Sequence, residues 1–470
     1  MMLLTRRRFL ATATAALAVP AVPRPPAAAA TQREVALRAQ TAEVSLVGAP
    51  HPDTAVWSFG GSVPGPTIRA ARGHPLRIAV DNALETPTSV HWHGLRVPNA
   101  MDGVPGLTQA PIRPGERFLY EFAPPDSGSY WYHAHQRGYE QVARGLYGPL
   151  IVEEPEPYPV DREVVWALDD WRLTGEAAIV DDFGHPRHAS HGGRIGNTVT
   201  INGRLPEELH LAPGERVRLR ILNTATARIF ALSFGAVTPT VIALDGQPVT
   251  PHVPADGRVV LGPAMRADVV LDAPRTPGTS VTVVDEGNPR QRYRVTALTV
   301  RDAPAKPPRG PVASLPPNDL PEPDLARAER HTLRLTGGAM GGMQGARLNG
   351  RWMQPRELMQ AGMFWALNDR AGGELDAPPL LRLGRGRSHL VELVNETAWP
   401  HPMHLHGHHF RVLSRDGRSE PHRPWRDTVL VNPRERVEIA LVADNPGRWL
   451  VHCHILDHQA SGMVGVAEVS

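Results

Sequence analysis

The stretch Val217-Arg218-Leu219-Arg220-Ile221-Leu222 decides the fold class, because apolar and charged side chains alternate in it from Val217 to Ile221. This period of two is typical of a half-buried β-strand, whose successive side chains point to opposite faces of a sheet. A second stretch with the same period runs from Leu76 to Val80. The 470 residues also include 48 prolines and 43 glycines, which interrupt helices and favour short strands joined by turns. The sequence therefore predicts an all-β protein.

Both alternating stretches belong to a pattern that occurs three times. An asparagine lies nine residues after a glycine at Gly73/Asn82, Gly214/Asn223 and Gly386/Asn395, and a Pro-x-x-Arg opens a later strand at Pro114/Arg117, Pro263/Arg266 and Pro433/Arg436. Three copies of a strand-rich unit predict three similar domains, each about the size of a β-sandwich. We expect these domains at residues 31–155, 160–303 and 325–470, with a proline-rich linker at 304–324.

The first thirty residues have the anatomy of an export signal. Arg6, Arg7 and Arg8 precede Phe9-Leu10, an apolar run follows, and small residues fill 27–30. This beginning resembles the twin-arginine class, which implies the twin-arginine export machinery as a partner; an ordinary secretory signal is the alternative. Cleavage is expected near Ala27–Ala30. Either reading predicts a periplasmic protein, and the apolar run is too short for a stable membrane anchor.

Charge and cysteine content exclude two other classes. The formal charge of +2 becomes −2 without the first thirty residues, because they carry four arginines and no acid, which leaves 46 basic and 48 acidic residues. A basic surface for nucleic acid is therefore not expected. The single cysteine, Cys453, excludes an internal disulfide framework.

Four histidine-dense segments carry the candidate chemistry. They are His91-Trp92-His93, His133-Ala134-His135, His401-Pro402-Met403-His404-Leu405-His406, and His452-Cys453-His454 with His458 and Met463 downstream. Residues i and i+2 of a strand share a face, so each His-x-His presents two imidazoles side by side. The pairs occupy matching places of the first and third repeats, whereas the second repeat has Leu232, Phe234, Thr282 and Val284 there. Eight histidines divided equally between two domains predict a metal cluster at the interface of those domains.

The third domain has the donors of a further site. Cys453, His401, His458 and Met463 supply one thiolate, two imidazoles and one thioether. This set is the ligand signature of blue copper, whereas zinc would be the default for an isolated His/Cys site. The histidines on both sides of Cys453 would connect this copper to the cluster through a few covalent bonds.

With these motifs the chain resembles three-domain bacterial multicopper oxidases of the laccase-like and cuprous oxidase type. The resemblance implies three cupredoxin-like Greek-key β-sandwich domains and four copper ions. The type 1 copper would be held by His401, Cys453, His458 and Met463, the type 2 copper by His91 and His404, and the type 3 pair by His93, His133, His135, His406, His452 and His454. The implied reaction takes four electrons from a reductant and reduces O₂ to two waters.

The resemblance also implies an acid for proton delivery. Asp102 lies eleven residues after His91, where the family has such an acid; the alternative is an ordinary residue of the Asp102-Gly103 turn. Many relatives carry a glutamate directly after the second type 1 histidine, but this chain has Gln459, which cannot titrate. Asp457 is the neighbouring candidate for a substitute.

The substrate remains open between several classes. Thr397 and Trp399 stand where a copper-oxidising relative would have an aspartate and a methionine, which favours a phenol or another organic reductant. A segment with five methionines, Met340, Met343, Met353, Met359 and Met363, could instead collect Cu(I). The alternative is that Met359 and Met363, four residues apart, form the apolar side of a short helix. Manganese oxidation has no discriminating motif. A copper-free structural scaffold of the same fold is the alternative from another class, and the complete ligand set argues against it.

Overall fold

Short strands are the main regular secondary structure of the computed structural model, which describes residues 34–470 except Pro289 and Glu374. The prediction of an all-β protein is confirmed. The strands group into three successive pairs of sheets, and each pair encloses its own apolar core. The three expected β-sandwiches are therefore present. The expected export signal lies outside the described residues.

The first sandwich has two four-stranded sheets. Its strands are β1 (Glu34–Val44), β2 (Thr54–Phe59), β3 (Ile68–Ala71), β4 (Leu76–Asn82), β5 (Val90–His93), β6 (Arg117–Phe122), β7 (Gly128–Ala134) and β8 (Tyr147–Glu153). The sheet orders are β2-β1-β4-β6 and β3-β8-β7-β5. Leu76, Ile78 and Val80 of the alternating β4 enter the core from one sheet, and Trp92 enters it from the other.

The second sandwich has a six-stranded and a five-stranded sheet. Its strands are β9 (Arg162–Trp171), β10 (Thr198–Ile201), β11 (Leu209–Leu211), β12 (Arg216–Asn223), β13 (Phe230–Ser233), β14 (Thr240–Leu244), β15 (Gln247–His252), β16 (Arg258–Leu261), β17 (Arg266–Asp272), β18 (Ser280–Asp285) and β19 (Tyr293–Val300). The orders are β10-β9-β12-β17-β14-β15 and β11-β19-β18-β13-β16. Leu232 and Phe234, which replace a histidine pair, are buried in this core.

One detail of the second sandwich differs from the sequence expectation. Strand β12 was expected to be half-buried, yet all of its residues are buried. Its charged side faces the first sandwich, and Arg218 and Arg220 pair with Asp268 of the neighbouring strand β17 and with Glu154, which directly follows β8. Paired carboxylates make this burial possible, because a buried charge without a partner would cost several kcal/mol.

The third sandwich contains the last two of the four histidine-dense segments. Its strands are β20 (Glu329–Gly337), β21 (Ala346–Leu348), β22 (Arg351–Met353), β23 (Trp365–Leu367), β24 (Leu381–Leu383), β25 (Ser388–Asn395), β26 (His401–Leu405), β27 (Phe410–Arg415), β28 (Arg418–Ser419), β29 (Trp425–Arg426), β30 (Thr428–Val431), β31 (Arg436–Val442), β32 (Gly447–Cys453) and β33 (Val464–Val469). Its sheets run β23-β20-β25-β31-β27-β28, with β29 beside β27, and β24-β33-β32-β26-β30. Strands β21 and β22 form a separate hairpin.

The helices between residues 34 and 470 are all short. They are α1 (Gly138–Gln141), α2 (Pro186–Ser190), α3 (Pro355–Gln360) and α4 (Leu456–Ala460), with 3₁₀ turns at Asn99–Met101 and Ala255–Gly257. Helix α4 directly follows the Cys453 segment and carries His458, and α2 of the second sandwich packs against it. Within the described part of the chain, no helix is long and apolar enough to cross a membrane.

Candidate metal centre

Neighbouring strands bring the histidine pairs together. His91 of β5 lies opposite His133 of β7, and His404 of β26 lies opposite His452 of β32. The second histidine of three of the four pairs follows the end of its strand, where the chain is free to turn. Seven of the eight imidazoles are buried and His135 is partly exposed. The four strand ends thus form one histidine cluster between the first and third sandwiches.

The cluster divides into groups whose ligand atoms lie within 4.8 Å of one another. The groups are His93, His133 and His454; His135, His406 and His452; and His91, His93 and His404. Each group takes residues from both sandwiches. Three of the four His-x-His pairs give their two rings to different groups, whereas His91 and His93 share one group and His93 also belongs to a second. Strand periodicity predicted that the paired rings lie side by side, but only the structure shows this division.

The free nitrogens of the cluster fit metal ligation. Buried ring nitrogens without a hydrogen-bond partner among the described residues are Nε2 of His91, His133, His135 and His404, Nδ1 of His93, and both nitrogens of His454. Burial lowers the pKa of most cluster imidazoles well below its ordinary value, namely those of His93, His133, His135, His406, His452 and His454. Neutral imidazoles with unused lone pairs are the form that binds metals. The residues present therefore fit a bound metal cluster.

Hydrogen bonds orient the rings from behind. The Nδ1 of His91 donates to the carbonyl of Asp102 at 2.8 Å, and the Nδ1 of His404 donates to the carbonyl of Asp427 at 2.9 Å. Both bonds leave Nε2 directed into the cluster. The Nδ1 of His406 donates to Oδ2 of Asp102 at 2.9 Å. Such second partners fix the ring orientation and raise the basicity of the ligating nitrogen.

A buried ion pair from the second sandwich reaches the same site. Arg266 donates two hydrogen bonds to Asp427, at 2.8 and 2.6 Å, and Oδ1 of Asp427 accepts from Nε2 of His93 at 3.1 Å. Burial alone would raise the pKa of Asp427, but Arg266, His404 and His93 hold this pKa well below the ordinary value. Sequence reasoning missed Asp427. The one available sign was Arg266, which belongs to the repeated Pro-x-x-Arg pattern.

The predicted blue-copper donors also meet. Nδ1 of His401 and Nδ1 of His458 lie 3.1 Å apart, and the Sγ of Cys453 lies 3.5 and 3.6 Å from them. Met463 is fully buried in the same apolar core as Cys453, and its backbone N donates to the carbonyl of His458 at 2.9 Å. Burial raises the pKa of the Cys453 thiol. A soft metal that replaces the thiol proton would offset this burial cost.

The outer nitrogens of both type 1 histidine candidates are occupied. Nε2 of His401 donates to Oγ1 of Thr397 at 2.9 Å, and Nε2 of His458 donates to the carbonyl of His191 at 2.6 Å. Trp365 packs on both rings, with centroid distances of 4.9 and 4.3 Å. Thr397 therefore positions a ligand and offers no charge to an approaching cation.

Two clefts lead towards these sites. A cleft of about 1050 Å³ is bounded by Trp399, Pro400 and Ile455 beside the Cys453 site, and by Gly192 and Tyr293 of the second sandwich. A smaller cleft of about 250 Å³ reaches His135 of the histidine cluster, and Gln459 lines it.

Asp457 points elsewhere than its sequence neighbour Gln459. Its Oδ2 accepts a hydrogen bond from the backbone N of Arg194 at 2.9 Å, so the carboxylate faces the second sandwich. Burial raises the pKa of Asp457 to about 6. It is absent from the residues that line the cleft to His135.

Three β-sandwiches with a shared histidine cluster and a neighbouring His₂Cys site define a copper-dependent oxidoreductase. Family models described as multicopper oxidase match residues 39–157, 162–303 and 352–470. The chain belongs to the multicopper oxidase family, and its sandwiches are the cupredoxin-like domains of that family.

Individual relatives agree over nearly the whole chain. The chain is 32% identical to multicopper oxidase MmcO of Mycobacterium tuberculosis, over 91% of this chain and 85% of the relative. It is 30% identical to Laccase-1 of Botryotinia fuckeliana, over 86% and 77%. A crystal structure of a multi-copper oxidase from Pseudomonas thermotolerans superposes with a TM-score of 0.81 at 34% identity, covering 93% of this chain and 99% of that one.

Proposed function

We propose that the protein holds four coppers and oxidises an organic reductant in the manner of a laccase. His401, Cys453, His458 and Met463 would hold the type 1 copper, His91 and His404 the type 2 copper, and His93, His133, His135, His406, His452 and His454 the type 3 pair. The unpartnered buried nitrogens and the buried thiol support this assignment. Bound copper would supply reversible one-electron chemistry, which zinc lacks. Four one-electron oxidations of the reductant would then balance the reduction of O₂, with four protons, to two waters.

The chain's own residues would carry out three tasks in this reaction. The backbone around Cys453 connects the proposed type 1 site to two groups of the histidine cluster, because His452 belongs to one group and His454 to another. The carbonyl of His191 covers the outer nitrogen of His458. We propose that Asp102 serves proton delivery, since its carboxylate is fully buried against His406 and its Oδ1 accepts no hydrogen bond among the described residues.

The large cleft beside Trp399 carries the proposal for an organic reductant. Trp399 and Pro400, which directly precede His401 in the chain, form an uncharged wall of the cleft. The hydroxyl of Thr397 is hydrogen-bonded to His401. Aromatic rings stack on such a wall, whereas a metal cation would need a carboxylate or a thioether there. A flat, neutral phenol therefore matches the cleft better than Cu(I).

Cuprous oxidation is the second candidate because of one exposed methionine. Met340 is 74% exposed, and the preceding carbonyl of Ala339 accepts a hydrogen bond from Nε1 of Trp399 at 2.9 Å. Met340 therefore follows a residue that contacts Trp399, which lines the cleft. A copper-free scaffold is disfavoured by the complete donor set, and no described feature points to manganese in particular.

A substrate panel tests the choice between phenol and Cu(I). Steady-state kcat/KM of the copper-loaded protein is measured for neutral phenols and for Cu(I), in the parent and in Trp399→Leu. We expect a preference for phenols and a loss of at least about tenfold for phenols in the variant, because stacking is removed. A parent that oxidises Cu(I) efficiently and phenols poorly would reverse the assignment.

We also propose export to the periplasm through the twin-arginine route. The support is the sequence of the first thirty residues, which lie outside the described part. Replacing Arg6 and Arg7 by lysine should retain the unprocessed chain in the cytoplasm, whereas Arg24→Lys should not. Normal processing of the double variant would favour the ordinary secretory route.

A further inference from the structure

Two histidines and a glutamate form a cluster on the third sandwich, separate from every histidine-dense segment. Glu329 and His331 lie on β20, and His389 lies on the parallel neighbour β25, directly opposite Glu329. Residues two apart on a strand share a face, so all three side chains lie on one side of the sheet. Leu333 and Leu335 continue this side into the core. The cluster therefore lies where the core-facing side of the sheet reaches solvent.

The spacing of the donors is that of metal ligands. Nε2 of His331 lies 3.0 Å from Nδ1 of His389, and Oε2 of Glu329 lies 3.7 Å from the same Nδ1. Two nitrogens bound to one ion at about 2.0–2.1 Å are about 3–3.4 Å apart. The same separation of 3.1 Å occurs between His401 and His458, which form part of the proposed type 1 site.

The orientation of the rings leaves these donors usable. Nε2 of His389 faces the carbonyl of Gly384 at 3.3 Å, so its Nδ1 is the nitrogen directed at the cluster. The side chain of His389 is fully buried, whereas that of Glu329 is 38% exposed and opens the cluster to solvent. Burial and the neighbouring His389 lower the pKa of His331 by more than Glu329 raises it, which favours the neutral ring. An ion from solution can therefore reach deprotonated donors.

One cation lies beside the cluster. Nη1 of Arg387 pairs with Oε1 of Glu329 at 2.7 Å and leaves Oε2 towards His389. The cluster is distant from the proposed type 1 copper. From His389 to Asn395, β25 extends for six residue steps, or about 20 Å, and His401 follows beyond that end of the strand.

We propose that Glu329, His331 and His389 bind one divalent first-row transition-metal ion, of the class represented by Zn²⁺ and Cu²⁺. Imidazole and carboxylate suit these ions, and solvent can complete the coordination. The bound ion would link β20 to β25 and thereby clamp the first strand of the third sandwich. This site is additional to the proposed coppers and would exist whatever the oxidase substrate is.

Zinc binding to the copper-loaded protein tests the site. The parent, His331→Gln and Glu329→Gln are dialysed against Zn²⁺, and zinc and copper are both counted by elemental analysis. We expect the parent to bind one zinc more than His331→Gln, with unchanged copper in both. His74→Gln is the matched control, because the imidazole of His74 is exposed and, among the described residues, is hydrogen-bonded only to the carbonyl of Arg72. Its zinc content should equal that of the parent.

Thermal unfolding supplies a second measurement. Zn²⁺ should raise the Tm of the parent and of His74→Gln but not that of His331→Gln, because the ion binds the folded cluster only. Equal Tm values without zinc would show that the substitution leaves the fold intact. Arg387→Gln should tighten zinc binding severalfold by removing a neighbouring positive charge. Equal zinc contents and Tm shifts in the parent and His331→Gln would overturn the site and leave a hydrogen-bonded histidine pair.

Discussion

Cys453 is the residue on which the proposed type 1 site depends. Its thiol is fully buried between His401 and His458, and the described residues contain no other cysteine. Cys453→Ser should abolish the intense visible absorption that a Cu(II)–thiolate bond produces, and oxidase activity with it, while up to three other coppers stay bound. Absorption spectra and copper analysis measure this.

Met463→Leu is the matched control for Cys453→Ser. It keeps the thiolate and both imidazoles and removes only the weak axial donor. The blue absorption should persist in this variant. A Cys453→Ser protein that kept its colour and turned over substrate normally would contradict the type 1 assignment.

Asp102 is the second residue with a defined expectation. Its carboxylate accepts from His406 and its carbonyl accepts from His91, so it holds two cluster rings and can also deliver protons. Asp102→Asn should slow the O₂-dependent step by roughly tenfold or more, since positioned acids commonly contribute about 10²–10⁴-fold. Reduction by substrate should keep its rate. Rapid mixing would show normal bleaching of the blue band and slow recovery, and equal recovery in parent and variant would remove Asp102 from proton delivery.

At the scale of elements, the methionine segment has two parts with different surroundings. Met343, Met353 and Met363 pack around Ala346 and Leu358, between the β21–β22 hairpin and α3. Met340 and Met359 are 74% and 52% exposed. Three of the five methionines therefore serve apolar packing, and two present their thioethers at the surface. Met359 and Met363 do not form one side of a helix, because α3 ends at Gln360; Met359 faces solvent and Met363 packs.

Substitution of the exposed pair tests whether this segment collects copper. Met340→Leu with Met359→Leu should change kcat/KM for a phenol by less than about twofold and cause at most a modest loss for Cu(I), because leucine keeps the apolar volume. Met363→Ala is the contrasting change and should cost about 2 kcal/mol of stability through lost packing. A hundredfold loss of cuprous activity in the double variant, or about 2.7 kcal/mol, would favour copper detoxification.

At the scale of the whole molecule, a buried ionic network connects the first and second sandwiches. Asp268 accepts from Arg218 at 2.6 Å, from Arg220 at 3.1 Å, and from Oγ of Ser129 in the first sandwich at 2.7 Å. Glu154 pairs with the same two arginines. Burial would raise the pKa of Asp268, but the arginines and Ser129 lower it below the ordinary value.

This network predicts a pH-dependent stability difference. Because the folded pKa of Asp268 is below the unfolded pKa of about 3.9, its stabilisation is present above that value and is lost as pH falls through the folded pKa. Asp268→Asn should therefore lose about 3–5 kcal/mol at neutral pH, since two buried arginines lose their counter-charge. The difference in Tm between parent and variant should shrink below about pH 4.

An exposed ion pair supplies the control for Asp268→Asn. Arg69 and Glu153 are 48% and 41% exposed, and such pairs contribute about 0–1 kcal/mol. Glu153→Gln should leave Tm nearly unchanged at every pH. A Tm difference for Asp268→Asn that is constant from pH 3 to pH 8 would contradict the linkage.

Local pattern by itself determined much of this protein. Period-two alternation indicated strands, the threefold Gly/Asn and Pro-x-x-Arg repeat indicated three sandwiches, and the histidine pairs with Cys453 indicated copper chemistry. These features are readable because strand periodicity and donor chemistry depend on residues that are close in the chain. The same features indicated the family as well as the fold.

Contacts between distant residues were decided only by the tertiary structure. The structure assembles the histidine groups from both sandwiches, brings Arg266 to Asp427 and places the carbonyl of His191 on His458. Each of these arrangements joins residues more than a hundred positions apart. The burial of Arg218 and Arg220 likewise depends on a neighbouring sandwich. Alternation specifies two faces of a strand but does not say what covers them. Packing between sandwiches supplies that answer, because a charged face can be buried once its counter-charges arrive from another part of the chain.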